Sequence, residues 1–317
     1  MHTVFLDYDT VSTGDLDTTA LTRAAGDIRF CPSTADSQIP DRIGRANIAL
    51  LNKVQLTRDR LMQAPDLKLI ALAATGTDNI DLIAARERGI AVCNVRSYCS
   101  ASVAQHVWAM VLSLTQHLSA YARLTVDGTW AANEEYAVLA HPIRELCGLT
   151  LGIVGWGELG RAVAARAEAF GMRVIVCGRP GAPLEPGRMA LEEFLRTADI
   201  VSLHCPSTAA TRGMIGAREL ALMKRDALLI NAARGALVDS QALADALKQG
   251  RLGGAGIDVL PQEPPVDGDP LLDARIPNLI VTPHIAWAAR EARQRCLDEM
   301  AANIDEFLRG GRRGRVV

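Results

Sequence analysis

The chain has 317 residues, 49% apolar and 22% charged, which excludes a disordered or fibrous protein and favours two domains over one or four. Thirty-four basic residues against thirty-six acidic ones leave a net charge of −2, so it lacks the general electrostatic attraction that nucleic-acid and membrane-surface binders use. No apolar run approaches the roughly 20 residues of a membrane span, and the acidic, strand-like start MHTVFLDYDT is unlike a signal peptide.

In chain order, β-branched runs predict strands at 3–7, 28–31, 48–51, 67–73 and 90–93, with helical stretches near 16–25, 38–45, 57–63 and 79–88 between them. That alternation predicts a small wound parallel sheet. One long helix is predicted over 101–123, followed by an irregular connection over 128–146 that carries Trp130, His141 and Pro142. A second alternation predicts strands at 149–154, 173–177, 200–205, 227–231, 254–259 and 278–282, a doubly wound set. A last helix over 287–308 is expected to return in part to the first domain. The terminal run from Arg309 to Arg315 is expected to be frayed and solvated. The seven cysteines are scattered, with no pair at C-x-x-C spacing, so neither a disulfide framework nor a metal site is expected, and a reducing, cytoplasmic setting fits.

The strongest local signal is Gly155-Trp-Gly-Glu-Leu-Gly160, which ends an apolar strand and opens a helix predicted over 159–170. Gly155 permits the tight turn, Gly157 lets backbone N–H groups approach a pyrophosphate, and Gly160 lets helix and strand pack closely. This predicts a dinucleotide site over Gly155, Gly157, Glu158, Leu159 and Gly160. The end of the next strand, where a carboxylate ordinarily accepts the ribose hydroxyls, is Cys177-Gly-Arg-Pro180. Gly178 removes charge and bulk there, and Arg179 offers paired donors to a 2′-phosphate, so NADP is expected over NAD. The alternative is an ordinary solvated arginine.

Three later segments each put an ionisable residue just past a strand, where open α/β sheets bind ligands. They are Asn231-Ala-Ala-Arg-Gly-Ala-Leu-Val-Asp239, Gly256-Ile-Asp-Val-Leu-Pro-Gln-Glu-Pro-Pro265 and Val281-Thr-Pro-His-Ile-Ala286. Arg234, Glu263 and His284 are expected to converge.

With these segments, Ala73-Ala-Thr-Gly-Thr-Asp-Asn-Ile-Asp81, Ser100-Ala-Ser-Val-Ala-Gln-His106 and the stretch from His204 to Ile215, the chain resembles the D-isomer-specific 2-hydroxyacid dehydrogenase family over nearly its whole length. Within that family it is most similar to the hydroxypyruvate and glyoxylate reductases, also called glycerate dehydrogenases. The resemblance implies an α/β fold of two wound parallel-sheet domains with a cleft between them. A flavodoxin-like substrate domain would comprise 1–99 and 288–317, and a Rossmann NAD(P)-binding domain 100–287. It implies that Arg234 clamps the substrate carboxylate and oxo group, that His284 is the general acid/base, and that Glu263 is the carboxylate that orients the histidine and favours its protonated ring. Thr75 and Gly76 match the family's carboxylate-binding loop from the other domain, which implies domain closure. Ser100, Cys205, Pro206, Ala232, Arg234, Asp258 and His284 match cofactor contacts. For Asp258 the alternative is a cap on the turn before Pro261.

The segment 101–123, with Trp108, Met110, Leu112 and Leu118, resembles the family's dimerisation region and implies a homodimer. The alternative is a helix buried within one subunit. His106 and His117 are expected to be structural, and Trp156 is expected to pack. Trp287 is expected either to wall the substrate site or to pack. Other readings are a cofactor-sensing binding protein of the corepressor type, a dimer with a dead site, and relatives such as formate, phosphite, phosphoglycerate or D-lactate dehydrogenases.

Overall fold

The computed structural model of the protein describes every residue from Met1 to Val317 and divides into two compact units, Met1–Cys99 with Trp287–Val317, and Ser100–Ala286. In the first unit the strands are β1 (Thr3–Phe5), β2 (Ile28–Phe30), β3 (Ile48–Leu51), β4 (Leu69–Leu72) and β5 (Ala91–Cys93), alternating with α1 (Thr19–Ala25), α2 (Ile39–Ile43), α3 (Arg58–Met62) and α4 (Leu82–Glu87). They form a parallel sheet of order β2-β1-β3-β4-β5, the flavodoxin-like winding. The central strands β3 and β4 are buried at every position, as a parallel sheet covered on both faces requires, and Leu50, Leu51, Leu69 and Ile70 supply that burial.

The second unit begins with α5 (Ser100–Gln116) and α6 (Leu118–Val126). The single helix predicted over 101–123 is thus two. His117 has φ +49°, its ring stacks on His141 at 5.5 Å, and Arg144 N–H bonds to Thr115 O, so the returning chain caps the first helix. Then follow β6 (Thr150–Val154), α7 (Glu158–Ala167), β7 (Arg173–Val176), α8 (Leu191–Thr197), β8 (Ile200–Leu203), α9 (Ala217–Leu222), β9 (Leu228–Asn231), α10 (Ser240–Lys248), β10 (Gly254–Ile257) and β11 (Leu279–Val281). A short 3-10 turn, Glu168–Phe170, continues α7 to the predicted end of that helix. The parallel sheet has the order β11-β10-β9-β8-β6-β7, with a single parallel bridge from Cys177 to Met189 beyond β7. The order reverses between β6 and β8, which puts the topological switch point at the ends of Val154 and Leu203.

The last helix, α11 (Arg290–Leu308), belongs to the first unit, where Ala292, Cys296, Leu297, Met300 and Ile304 join the core formed with Leu21, Ala24 and Ala25. The basic tail beyond it is not frayed. Val316 N–H bonds to Val92 O at 2.7 Å and Asn94 N–H to Gly314 O at 3.0 Å, so the tail pairs antiparallel with β5 and covers the sheet edge that β5 would leave open. No helix is long and apolar enough to cross a membrane.

Candidate functional site

The glycine turn sits at the switch point. Gly155 has φ +96°, and a Cβ there would lie 2.6 Å from the His204 carbonyl carbon, so only glycine lets β6 turn beside the loop that carries Cys205 and Pro206. A Cβ on Gly160 would meet Gly155 O at 2.1 Å, which is the close approach of α7 to the strand end. Gly157, the N-cap of α7, faces open space within 4 Å. An uncovered helix N-terminus preceded by such a turn fits the pyrophosphate of a dinucleotide, by charge and by shape. Ser100 Oγ donates to Glu158 Oε1, which ties the start of α5 to the first turn of α7. Leu159 is half-buried on the same turn.

Beyond β7, Gly178 N–H bonds to Met189 O at 2.8 Å, so residues 179–188 form a loop that leaves and rejoins the sheet edge. Arg179 is exposed at its start. Trp156, expected to pack, is instead 36% exposed, with the Arg188 guanidinium 5.8 Å over its ring. Arg188 was not singled out by sequence reasoning. It reaches Trp156 through the Cys177–Met189 bridge, a pairing with no local sequence signal.

The second cluster gathers on the turn after β10. His284 Nδ1 lies 2.6 Å from Glu263 Oε2, and the other Glu263 oxygen accepts the Leu260 N–H at 2.9 Å. Arg234 is brought to the same turn from β9. A Cβ on Gly235 would overlap Leu260 at 2.0 Å, so the backbone beside Arg234 is pressed onto the turn that carries Glu263. Asn231 fixes this loop, donating to Arg234 O at 2.9 Å and accepting from Ala233 N–H at 3.1 Å across the half-buried Ala232. Asn231 stands in the motif but its holding role follows only from the folded turn.

Asp258 is buried, and its carboxylate accepts hydrogen bonds from Thr282 Oγ1 at 2.6 Å, Ile285 N–H at 2.9 Å and Ala286 N–H at 2.9 Å. Its carbonyl accepts His284 N–H at 2.8 Å. Its carboxylate therefore closes on the segment that carries the histidine, while the turn before Pro261 is capped by Glu263. His284 has φ +55°, a conformation that costs about 1–3 kcal/mol and persists only where neighbours enforce it. The four bonds to Asp258 enforce it. His106 Nε2 lies 3.0 Å from Thr282 Oγ1 and extends this network, which accounts for it structurally.

In the first unit, Thr75 Oγ1 donates to Val95 O at 2.7 Å and Asn94 Nδ2 donates to Thr75 O at 2.7 Å, which shapes the loop through Gly76. The backbone N–H groups of Thr75 and Gly76 have no acceptor within the protein. Trp287 lies edge-on to Tyr98 at 6.5 Å, against the core of that unit. No group of three or more histidine, cysteine, aspartate or glutamate side chains is placed to hold a metal ion. Trp108 and Met110 are buried, Trp108 stacking on Phe170 at 4.7 Å and Met110 lying against Gly256, so these two members of the proposed dimer segment are core.

Residues 108–286 match the family described as D-isomer specific 2-hydroxyacid dehydrogenase, NAD binding domain. The chain is 46% identical over 273 residues to the glycerate dehydrogenase of Methylorubrum extorquens, covering 86% of each chain. It is 35% identical to the hydroxypyruvate reductase of Blautia hydrogenotrophica, covering 98% of each. Among solved structures it is similar to the TT0316 protein of Thermus thermophilus, with a TM-score of 0.87 and 35% identity over the whole of both chains.

Proposed function

Because the chain belongs to the D-isomer-specific 2-hydroxyacid dehydrogenase family, oxidoreductases that act on CH–OH groups with NAD(P), we propose that it reduces a small 2-oxo acid, hydroxypyruvate or glyoxylate, with NADPH preferred over NADH. The observation that carries this reading is the 2.6 Å pair of His284 and Glu263 on the turn against which the Arg234 loop is pressed.

The bound nicotinamide supplies the hydride. Arg234 presents a planar fork that suits the carboxylate and oxo oxygens of a 2-oxo acid, where a lysine would offer only a point charge. With Nδ1 engaged by Glu263, His284 carries its transferable proton on Nε2 and gives it to the carbonyl oxygen as the alkoxide forms. In the reverse direction the same nitrogen takes the proton from the alcohol. Glu263 fixes the ring plane and the tautomer through its bond to Nδ1. Thr75 and Gly76 of the first unit offer N–H donors to a carboxylate, and Ser100, Cys205, Pro206 and Ala232 line the cofactor side with the glycine turn.

The NADPH preference is supported by the uncharged Gly178, the exposed Arg179 and a second cation, Arg188, whose Cβ lies 3.9 Å from where a Gly178 Cβ would stand. A homodimer is supported by the apolar side chains that Leu118, Val126, Trp130, Tyr136, Leu139 and Ile143 leave exposed after α5. Light scattering at micromolar protein reads this directly, and a monomeric mass contradicts it. Seven free cysteines support a cytoplasmic setting. The reading is tested by steady-state kinetics of two variants. His284→Ala is expected to lose most turnover while still binding cofactor, and Arg234→Ala to raise the KM for the oxo acid as well. Rates near wild type in either variant contradict it.

A further inference from the structure

The first unit contains a cavity of about 330 Å³ that the proposed reaction does not use. Its lining includes Asn94, Glu299 and four arginines, Arg96, Arg312, Arg313 and Arg315. Two of the arginines are partnered. Arg313 Nη2 lies 2.7 Å from Glu299 Oε2, and Arg315 Nε donates to Val317 O at 2.6 Å. The side chains of Arg96 and Arg312 have neither an ion pair nor a hydrogen bond, and both are exposed to solvent. With Glu299 as the one carboxylate side chain in the lining, the wall carries an excess of positive charge in a protein whose net charge is −2.

Three of these arginines lie on the basic tail, and the tail is held in place. Besides its pairing with β5, it seats Gly314, at φ +61°, against the Asn303 amide, whose atoms lie 2.6 Å from where a Cβ would stand. Asn303 in turn donates to Asn94 O at 3.0 Å. The guanidinium groups thus project from an ordered frame.

The floor gives the second observation. Asn94 is 5% exposed, and its Oδ1 is a buried acceptor without a hydrogen-bond partner. Its amide orientation is fixed, because Nδ2 donates to Thr75 O at 2.7 Å. An unsatisfied buried acceptor is costly, so a ligand that brings a donor to it gains by doing so.

We propose that this cavity is a binding site for a small hydroxylated phosphate monoester, with the phosphate held by Arg96 and Arg312 and a ligand hydroxyl donated to Asn94 Oδ1. A phosphate dianion accepts from two planar guanidinium groups at once, and the hydroxyl satisfies the orphaned acceptor. Because Asn94 also shapes the loop of Thr75, occupancy changes the KM for the oxo acid more than kcat. That consequence rests on the carboxylate-binding reading of Thr75 and Gly76, whereas the binding site itself does not.

The test is calorimetric titration of the full chain, saturated with NADPH so that the glycine turn is filled, with glycerol 3-phosphate, inorganic phosphate and glycerol at matched ionic strength. Glycerol 3-phosphate is expected to bind at one site per chain with a Kd of about 1 mM or below. Inorganic phosphate should bind several-fold more weakly, and glycerol not at all. The double variant Arg96→Ala/Arg312→Ala, which removes no internal hydrogen bond or ion pair, should weaken binding by about tenfold or more, while Arg234→Ala leaves it unchanged. No saturable binding by about 10 mM overturns the site, and so does undiminished binding in the double variant. Inorganic phosphate binding as tightly as the ester overturns the role of Asn94. Normal binding without any change in KM overturns the coupling to Thr75 alone.

Discussion

Replacing Asp258 by Asn tests whether this side chain acts by holding His284 or by touching the cofactor. The wild-type carboxylate receives Thr282 Oγ1 and Ile285 N–H on one oxygen and Ala286 N–H on the other, all at 2.6 to 2.9 Å, with Asp258 and Ala286 themselves out of solvent. An Asn that keeps its carbonyl on the first two donors turns an NH2 group toward Ala286 N–H and leaves that donor unpaired. An unsatisfied buried donor costs about 1–3 kcal/mol, and loss of the charge weakens the two remaining bonds, for a total of about 2–4 kcal/mol. For a unit of this size that corresponds to a fall in Tm of roughly 5–10 °C. The His284 backbone at φ +55° then loses part of what enforces it, so kcat is expected to fall by about tenfold or more. The Kd for NADPH, followed by nicotinamide fluorescence, should change less than about twofold, since it is the reacting geometry that is disturbed and not the binding contacts. Differential scanning calorimetry and initial rates measure both effects. A variant with wild-type Tm and kcat, or one that loses chiefly cofactor affinity, refutes the holding role.

Three further outcomes follow from the same geometry. Glu263→Gln keeps the size but replaces the charged acceptor 2.6 Å from His284 Nδ1 by a neutral amide that holds the ring less firmly, so kcat/KM for the oxo acid should fall by about 10²-fold, chiefly through kcat; an unchanged kcat speaks against Glu263 as the positioning partner. Arg179→Ala should raise the KM for NADPH by about tenfold and that for NADH little, and equal effects on the two cofactors count against the 2′-phosphate contact. Burial holds the His204 imidazole down from 6.5 to about 4, next to the Gly155 turn and 2.8 Å from Ser202 Oγ. The unfolded chain therefore takes up this proton first as pH falls. Stability is whole above pH 6.5 and declines toward pH 4, by on the order of 2–3 kcal/mol. Urea unfolding of His204→Gln should show a flatter decline over that window, and a decline as steep as wild type removes His204 as its cause.

The parts of the fold legible in the sequence are those set by local chemistry. Strands such as Ile48–Leu51 and Leu69–Leu72 are buried on both sides and so are written as unbroken apolar runs. Gly155 and Gly160 follow from a turn and a close approach that no other residue permits, and Arg234, Glu263 and His284 follow from strand ends. What was not legible depends on chain segments meeting from far apart. The break at His117 comes from His141 and Arg144 returning to it, and the covered edge of β5 comes from residues 220 or more positions later. The same holds for Asp258, whose motif position marks it but whose three acceptor bonds exist only once β11 lies beside β10. Arg188 over Trp156 depends on a single bridge at a sheet edge.

The central claim is reduction of a small 2-oxo acid, and initial rates test it most directly. NADPH and NADH oxidation would be followed at the nicotinamide absorbance with hydroxypyruvate, glyoxylate, pyruvate and a bulky aromatic 2-oxo acid. The account predicts rapid turnover of hydroxypyruvate or glyoxylate with NADPH favoured, and little with the aromatic acid. Tight cofactor binding with no turnover of any of the four contradicts it and leaves a protein that senses the cofactor without using it.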